Sequence, residues 1–471
     1  MPIKVYNTLS GKIEEVRPRI ENKLGMYVCG PTVYDYSHIG HARTYIAFDV
    51  MVRYLRYREF DVKYIVNITN IDDKIINRAK ETGEDPFRLA DKFETAFFED
   101  MGALGVERAD AYPRVSEHMP EIIEMVQTLV KKGFAYESDG DVYFDVTKIT
   151  DFGKLSHQTM EEMKAGARVE IDEKKRNPAD FALWKRAKEG EPHWKSPWGE
   201  GRPGWHIECS AMSMKYLGRQ FDIHGGAKDL IFPHHENEIA QSEGYSGKKP
   251  FVNYWVHTGF LTIDGKKMSK SLGNIIRIRD LLNKYEPEVF RLFVLSTHYR
   301  RPVDFEEKTL NQLKLSLNRF YSTMNKLQLQ IKNAEEVRDL GKREKSIDEQ
   351  VSRLKQKFLD DMDNDFNTAK SLANLFKIAR IGNKVATRGT SKQLLTKISG
   401  TITELGEIFG LFTVERKVKR LSEDERRLIE ERNRARENKD WKKADEIREK
   451  LKEMGIMLRD YPEGTKWIRE E

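Results

Sequence analysis

Two short motifs carry side chains suited to holding phosphate. His38-Ile39-Gly40-His41 follows an apolar run, Met26-Tyr27-Val28, and a Gly30-Pro31 loop. It opens an amphipathic stretch from Ala42 to Tyr57 that leads to a second apolar run, Val62–Ile68, a strand–loop–helix–strand pattern. A histidine pair at a helix start suits an anion, because unpaired helix N–H groups and the helix dipole already favour negative charge there. Gly40 lets the backbone approach closely. Far downstream, Lys267-Met268-Ser269-Lys270-Ser271 follows the turn Asp264-Gly265 and precedes Gly273. Its two ammonium groups, flanked by small hydroxyl side chains, are equipped to clamp a departing pyrophosphate and to stabilise charge mostly in the transition state. Read alone, such a lysine-rich turn is usually just solvated.

A second constellation suits a metal ion. Cys29 ends the first apolar run, where the carboxyl ends of parallel strands present their loops to ligands. Cys209 lies in Gly204-Trp205-His206-Ile207-Glu208-Cys209, and His234 and Glu238 are spaced four apart on one expected helical face. Two thiolates, an imidazole and a carboxylate form a four-ligand set for zinc. His235 competes with His234 for the imidazole position, and periodicity cannot separate them. The plainer reading of each cysteine is a small buried hydrophobe.

These groups need a scaffold, and 471 residues allow about three or four domains. The net charge of +6 arises from 82 basic and 76 acidic residues, a mild basic excess that suits a nucleic-acid partner without requiring one. No apolar run approaches the ~18 residues of a membrane helix, and the N-terminus lacks a secretory core, so a cytoplasmic protein is expected. Two cysteines are too few for a disulfide framework. Beyond Tyr299-Arg300-Arg301-Pro302, Leu310, Leu313, Leu317, Phe320, Met324 and Leu327 form a one-sided stripe. Leu354, Phe358 and Met362, then Leu372, Leu375 and Phe376, continue the pattern of a helical bundle. Asp363, Asn364, Asp365 and Asn367 lack the glycine and spacing of a calcium loop and read as a helix cap and surface. Near the C-terminus, Ser422 and Glu425 form a capping box. Trp441, Ala444, Ile447, Leu451 and Met454 follow on one helical side, and Ile456-Met457-Leu458 reads as a strand.

The segments CGPTVYDYSHIGHARTY, NITNIDDKII, RNPADFALWK, GRPGWHIECSAM, FDIHGGAKDLIFPHHENEIAQSE and KMSKSLGN, in this order, resemble the cysteinyl-tRNA synthetases, a family of class I aminoacyl-tRNA synthetases. Two positions depart from the family pattern: Asn70, where aspartate is usual, and Ala227, where glycine is common.

The resemblance implies an α/β fold. A Rossmann-type parallel-sheet catalytic domain would be split into 1–120, with HIGH, and 201–250, with the metal ligands, around a short connective insertion at 121–200. A stem-contact region with KMSKS would span 251–305, a helical bundle 306–415, and a small mixed α/β anticodon-recognition domain 416–471. It further implies that ATP, with Mg²⁺, binds His38, Gly40, His41, Lys267, Ser269 and Lys270, with both histidines and both lysines assisting catalysis. Zn²⁺ would be held by Cys29, Cys209, His234 and Glu238. Thr69, Trp205 and His224 would line the cysteine pocket, although Trp205 also suits core packing and His224 a backbone-bonded strand end. Arg436, Asp445 and Asp460 would read the GCA anticodon of tRNA-Cys, although that segment also suits a dimerisation or capping element. A monomer is expected. An amino-sugar ligase of the mycothiol pathway would share HIGH, KMSKS and the zinc set but lack the 416–471 segment. A non-catalytic RNA-binding paralogue would more readily have lost a motif.

Overall fold

The computed structural model describes residues 2–159, 162, 173–268, 273–334, 340–412, 422–454, 456–461 and 464–469. The main sheet has four parallel strands: β1 (Lys23–Val28), β2 (Asp61–Val66), β3 (Phe221–Ala227) and β4 (Val252–Thr258), in the spatial order β4-β3-β1-β2. The direction of winding reverses between β1 and β3. At such a switch point the loops beyond the strand ends part and leave a ligand crevice.

Both faces of the sheet are covered, as parallel sheets require, and alternate residues serve different cores. Leu24, Met26 and Val28 of β1 join the core that packs against α1 (Ile39–Tyr57), whereas Tyr27 and Cys29 face a second core. That second core includes Ile207 and Met212 of α2 (Ile207–Leu217) and Ile239 of α3 (Glu236–Ser246). Helix α1 approaches β3 so closely that a Cβ on Gly225 would lie 2.3 Å from the Phe48 ring.

An antiparallel five-stranded sheet, from Ala135–Ser138 to Gly199–Pro203, lies between β2 and α2 in the chain. Beyond β4, Leu261–Ile263 pairs with Lys266–Lys267 and, in parallel, with Val303–Phe305. Helices Glu307–Asn333, Lys342–Asp363, Thr368–Val385 and Lys392–Ile408 follow. Leu310, Leu317, Phe320 and Leu327 are buried in the same core as α1, while Leu313 and Met324 pack at its edge. Arg291 and Asp49, each 1 % exposed on their side chains, form an ion pair of 2.5 Å inside this region.

The run around Asp363 corrects the expectation of a surface cap. Asp363 is buried, accepts the Tyr54 hydroxyl at 2.6 Å and pairs with Arg58 of the α1 segment. Asp365 is buried too, and accepts from the Tyr299 hydroxyl at 2.6 Å and from Arg300 Nε at 2.7 Å. A buried carboxylate is stable only when paired, and these two fasten the bundle to the α1 segment and to residues 299–300. The reading holds for the two asparagines: Asn364 is exposed at the C-cap of helix Lys342–Asp363, and Asn367 caps the start of the next helix, accepting from Lys370 N.

Residues 415–471 form a separate compact unit. Its helix Glu423–Glu437 begins with a reciprocal capping box between Ser422 and Glu425. Helix Trp441–Glu453 and a hairpin of Ile456–Tyr461 with Gly464–Arg469 complete it. Ala444, Ile447 and Leu451 are buried, but Trp441 and Met454, at the ends of the expected stripe, are exposed. Gly455, Pro462 and Glu463 lie outside the described residues.

Candidate functional site

The switch-point crevice gathers the proposed metal ligands from three elements. Cys29 follows β1, Cys209 sits in the first turn of α2, and His234 and Glu238 straddle the start of α3. The sulfurs of Cys29 and Cys209 are 3.9 Å apart, Cys29 Sγ is 3.7 Å from Glu238 Oε1, and His234 Nε2 is 3.0 Å from the same oxygen. Two thiolates at 2.3 Å from a tetrahedral zinc would be about 3.8 Å apart, so this donor set fits the ion. The four-residue spacing of His234 and Glu238 thus becomes a direct contact.

Cys29 and Glu238 also belong to an overlapping set with His224 and His235. Cys29 Sγ is 3.2 Å from His235 Nε2, and Glu238 Oε2 is 2.9 Å from His224 Nε2. His235 Nδ1 in turn lies 2.8 Å from His257 Nε2, and His206 Nδ1 lies 2.9 Å from His234 Nδ1.

The electrostatics divide these buried groups. Burial pushes the Cys29 thiol well up, with Cys209 adding to the effect. Burial would also raise Cys209, but hydrogen bonding with Cys29 and His234 brings it down to about 6. Against its own burial, His234 is raised to about 10 by Glu238 and Cys209. Glu238 is likewise drawn down to about 2 by His224 and His234 in spite of burial. His235 is kept neutral by burial and by the neighbouring imidazoles. The cluster therefore carries negative charge on Cys209 and Glu238, with the His234 imidazolium between them as their counter-charge.

Next to it, a cleft of about 830 Å³ is lined by Pro31–Val33, His38, Gly40, His41, Lys74, Asp229, Phe260 and Lys267. His38 is the N-cap of α1. Its Nδ1 accepts from Gly40 N and His41 N, while His41 Nδ1 accepts from His38 N at 3.2 Å. The rings stack with centroids 3.8 Å apart. Because amide protons occupy both Nδ1 atoms, the neutral rings carry their protons on Nε2, as donors for an anion. Burial and His38 hold His41 well below the usual histidine range, which preserves that neutral form. A Cβ on Gly40 would lie 2.9 Å from the His38 ring. Lys267 is exposed, with Nζ 4.6 Å from the Phe260 ring centre. Ser269 and Lys270 lie outside the described residues.

The three residues expected to line the cysteine pocket differ in setting. Thr69 is buried and donates its hydroxyl to Glu208 Oε1 at 2.6 Å. Trp205 is 36 % exposed, with its ring centre 4.5 Å from that of His234. His224 is fully buried, stacked on Trp255 and bonded to Glu238 through a side chain, not to backbone. Sequence reasoning passed over His206, His257, Glu208 and Lys74. The first and third lie within GWHIECS and could have been flagged there; Lys74, 5.7 Å from the Trp205 ring centre, lies within NITNIDDKII but has no spacing to another charged group that singles it out. Neither departure strains the site. Asn70 bonds Ser116 through both ends of its amide, and Ala227 has φ −79° and ψ 155°, open to any residue.

In the C-terminal unit, Asp460 receives two hydrogen bonds from Arg432, of 2.5 and 2.6 Å, and pairs with Arg436. Asp445 is exposed on helix Trp441–Glu453.

The architecture is that of a class I aminoacyl-tRNA synthetase. Mycobacterium tuberculosis methionyl-tRNA synthetase in complex with methionyl-adenylate superposes with a TM-score of 0.62 at 16 % identity, covering 82 % of this chain and 89 % of that one. Residues 15–315 match the class I (C) tRNA synthetase catalytic domain, 357–413 the DALR domain and 419–467 the cysteinyl-tRNA ligase anticodon binding domain. The cysteine–tRNA ligase of Thermococcus gammatolerans is 52 % identical over 100 % of this chain and 99 % of its own. That of Carboxydothermus hydrogenoformans is 50 % identical over 99 % of this chain and its whole length. The chain belongs to the cysteine–tRNA ligase family.

Proposed function

We propose that this protein joins cysteine to tRNA-Cys in two steps. A carboxylate oxygen of cysteine attacks the α-phosphorus of ATP, bound with Mg²⁺, and pyrophosphate leaves. The 2′-hydroxyl of the terminal adenosine then attacks the adenylate carbonyl, with loss of its proton and release of AMP. Both steps need placement and charge stabilisation more than a protein nucleophile. His38 and His41 donate from Nε2 to the phosphates, Gly40 gives them room, and Lys267, with Ser269 and Lys270, holds the departing pyrophosphate.

The observation that carries the amino-acid assignment is the convergence of Cys29, Cys209, His234 and Glu238 beside that cleft. A bound zinc would prefer a soft thiolate to a hydroxyl, a distinction that pocket shape alone makes only ~10- to 100-fold. His224 orients Glu238 through its second oxygen, which favours the set with Cys209 and His234 over the one with His224 and His235. Thr69 and Trp205 border the same pocket.

Arg436, Asp445 and Asp460 are assigned to the GCA anticodon, with Arg432 setting the Asp460 carboxylate. The protein is taken to act as a cytoplasmic monomer. No described helix is long and apolar enough to cross a membrane. Cysteine-dependent ATP–pyrophosphate exchange, followed by charging of a GCA-anticodon tRNA, tests the assignment. Exchange without charging would redirect it to a different acceptor.

A further inference from the structure

Arg43 stands two residues beyond the second histidine of HIGH, on α1, and is 2 % exposed. Its guanidinium donates to backbone carbonyls of two separate segments: to Phe260 on one side and to Tyr299 and Arg301 on the other. Burying a guanidinium against neutral carbonyls is costly, and its planar fork bridges two strands in a way few other side chains can.

The bridged segments flank the hairpin that leads into KMSKS in the chain. Phe260 immediately precedes the strand Leu261–Ile263, which pairs with Lys266–Lys267, and Arg301 leads into Val303–Phe305 alongside it. The segments touch at backbone distance. Gly259 N donates to Tyr299 O at 2.7 Å, Val303 N donates to Phe260 O at 3.0 Å, and a Cβ on Gly259 would lie 2.6 Å from the Arg301 carbonyl. The Phe260 ring then takes the Lys267 ammonium over its face. From the far side Asp365 of the bundle holds Tyr299 and Arg300.

We propose that Arg43 is a positioning residue for adenylate formation. It fixes the distance between the HIGH histidines and Lys267 through the Phe260 carbonyl, and Asp365 steadies the outer segment. The proposal rests on the adenylation reading above. Displacement of a catalytic group by about 1 Å can lower a rate on the order of 10²-fold, so the effect belongs in kcat.

The test is ATP–pyrophosphate exchange with zinc-loaded wild type, Arg43→Lys and Asp365→Asn, together with thermal melting. Lysine keeps the charge but cannot bridge both segments. Expected for Arg43→Lys is a fall in kcat of at least roughly tenfold, with KM for cysteine within twofold because the Arg43 guanidinium bonds the Phe260, Tyr299 and Arg301 carbonyls and none of the proposed zinc ligands. Asp365→Asn should lower kcat in the same sense, and it decides the matter if Arg43→Lys does not fold. Wild-type kcat in the folded Arg43→Lys enzyme, or a loss that raises KM for cysteine as strongly as it lowers kcat, overturns the proposal. Absence of exchange in the wild type would instead overturn the adenylation reading.

Discussion

The sulfurs of Cys29 and Cys209 lie 3.9 Å apart at the carboxyl edge of the sheet, brought together from positions 180 residues apart in the chain. This is the separation of two ligands on one ion rather than of a disulfide, whose sulfurs are about 2.05 Å apart. Cys209→Ser should therefore release zinc, measured by metal analysis after gel filtration, and should narrow the preference for cysteine over serine. Retention of stoichiometric zinc would point to the set with His224 and His235 instead.

His224 reaches Glu238 without belonging to the favoured ligand set. His224→Gln is expected to weaken zinc binding by roughly 10- to 100-fold in a competitive chelator titration, the usual cost of losing an outer-shell hydrogen bond. A complete loss equal to that of Cys209→Ser would make His224 a direct ligand.

The two HIGH histidines cap α1 through Nδ1 and are left to donate through Nε2. Asparagine can keep the cap but cannot reach the phosphates. His41→Asn is thus expected to melt like wild type and to lose about 10²- to 10³-fold in the kcat of exchange, the loss typical of one transition-state donor. A parallel collapse of the melting temperature would show that the histidine serves the helix alone.

Parts of this site were legible in the chain because their geometry is local. HIGH must open a helix once an apolar strand and a Gly-Pro loop precede it, and His234 and Glu238 share a face by helical spacing alone. The choice between His234 and His235 was not legible. Each ring meets a cysteine only through tertiary packing, and the two donor sets share Cys29 and Glu238. Asp363 and Asp365 were misread as surface because their partners, Arg58, Tyr299 and Arg300, lie far away in sequence. Trp441 fits an apolar stripe by spacing, yet it lies at the helix start, where the small C-terminal core does not reach.

Arg432 holds the Asp460 carboxyl well below the usual aspartate range, with Thr465 and Arg436 assisting. A carboxyl depressed in the folded state contributes stability above its unfolded pKa, near 3.8, and loses it as pH falls through that value towards its folded one. Amide protection of helix Glu423–Glu437 in the full chain, corrected for intrinsic exchange, should be lower in Asp460→Asn than in wild type at pH 7. The difference should shrink progressively below about pH 3.8. A difference that persisted unchanged to pH 2 would contradict the pairing.

Gly225 faces the Phe48 ring where α1 crosses β3. Gly225→Ala forces that ring aside, an overpacking expected to cost about 1–3 kcal/mol in denaturant unfolding. An unchanged midpoint would mean that the helix can retreat from the sheet.

The most direct measurement is the rate of ATP–pyrophosphate exchange with cysteine and with serine on zinc-loaded enzyme. Selection of the thiolate by zinc predicts exchange with cysteine and a cysteine-to-serine ratio in kcat/KM above the roughly 10²-fold that cavity shape can supply. No exchange with cysteine, or a ratio at or below that limit, would contradict it.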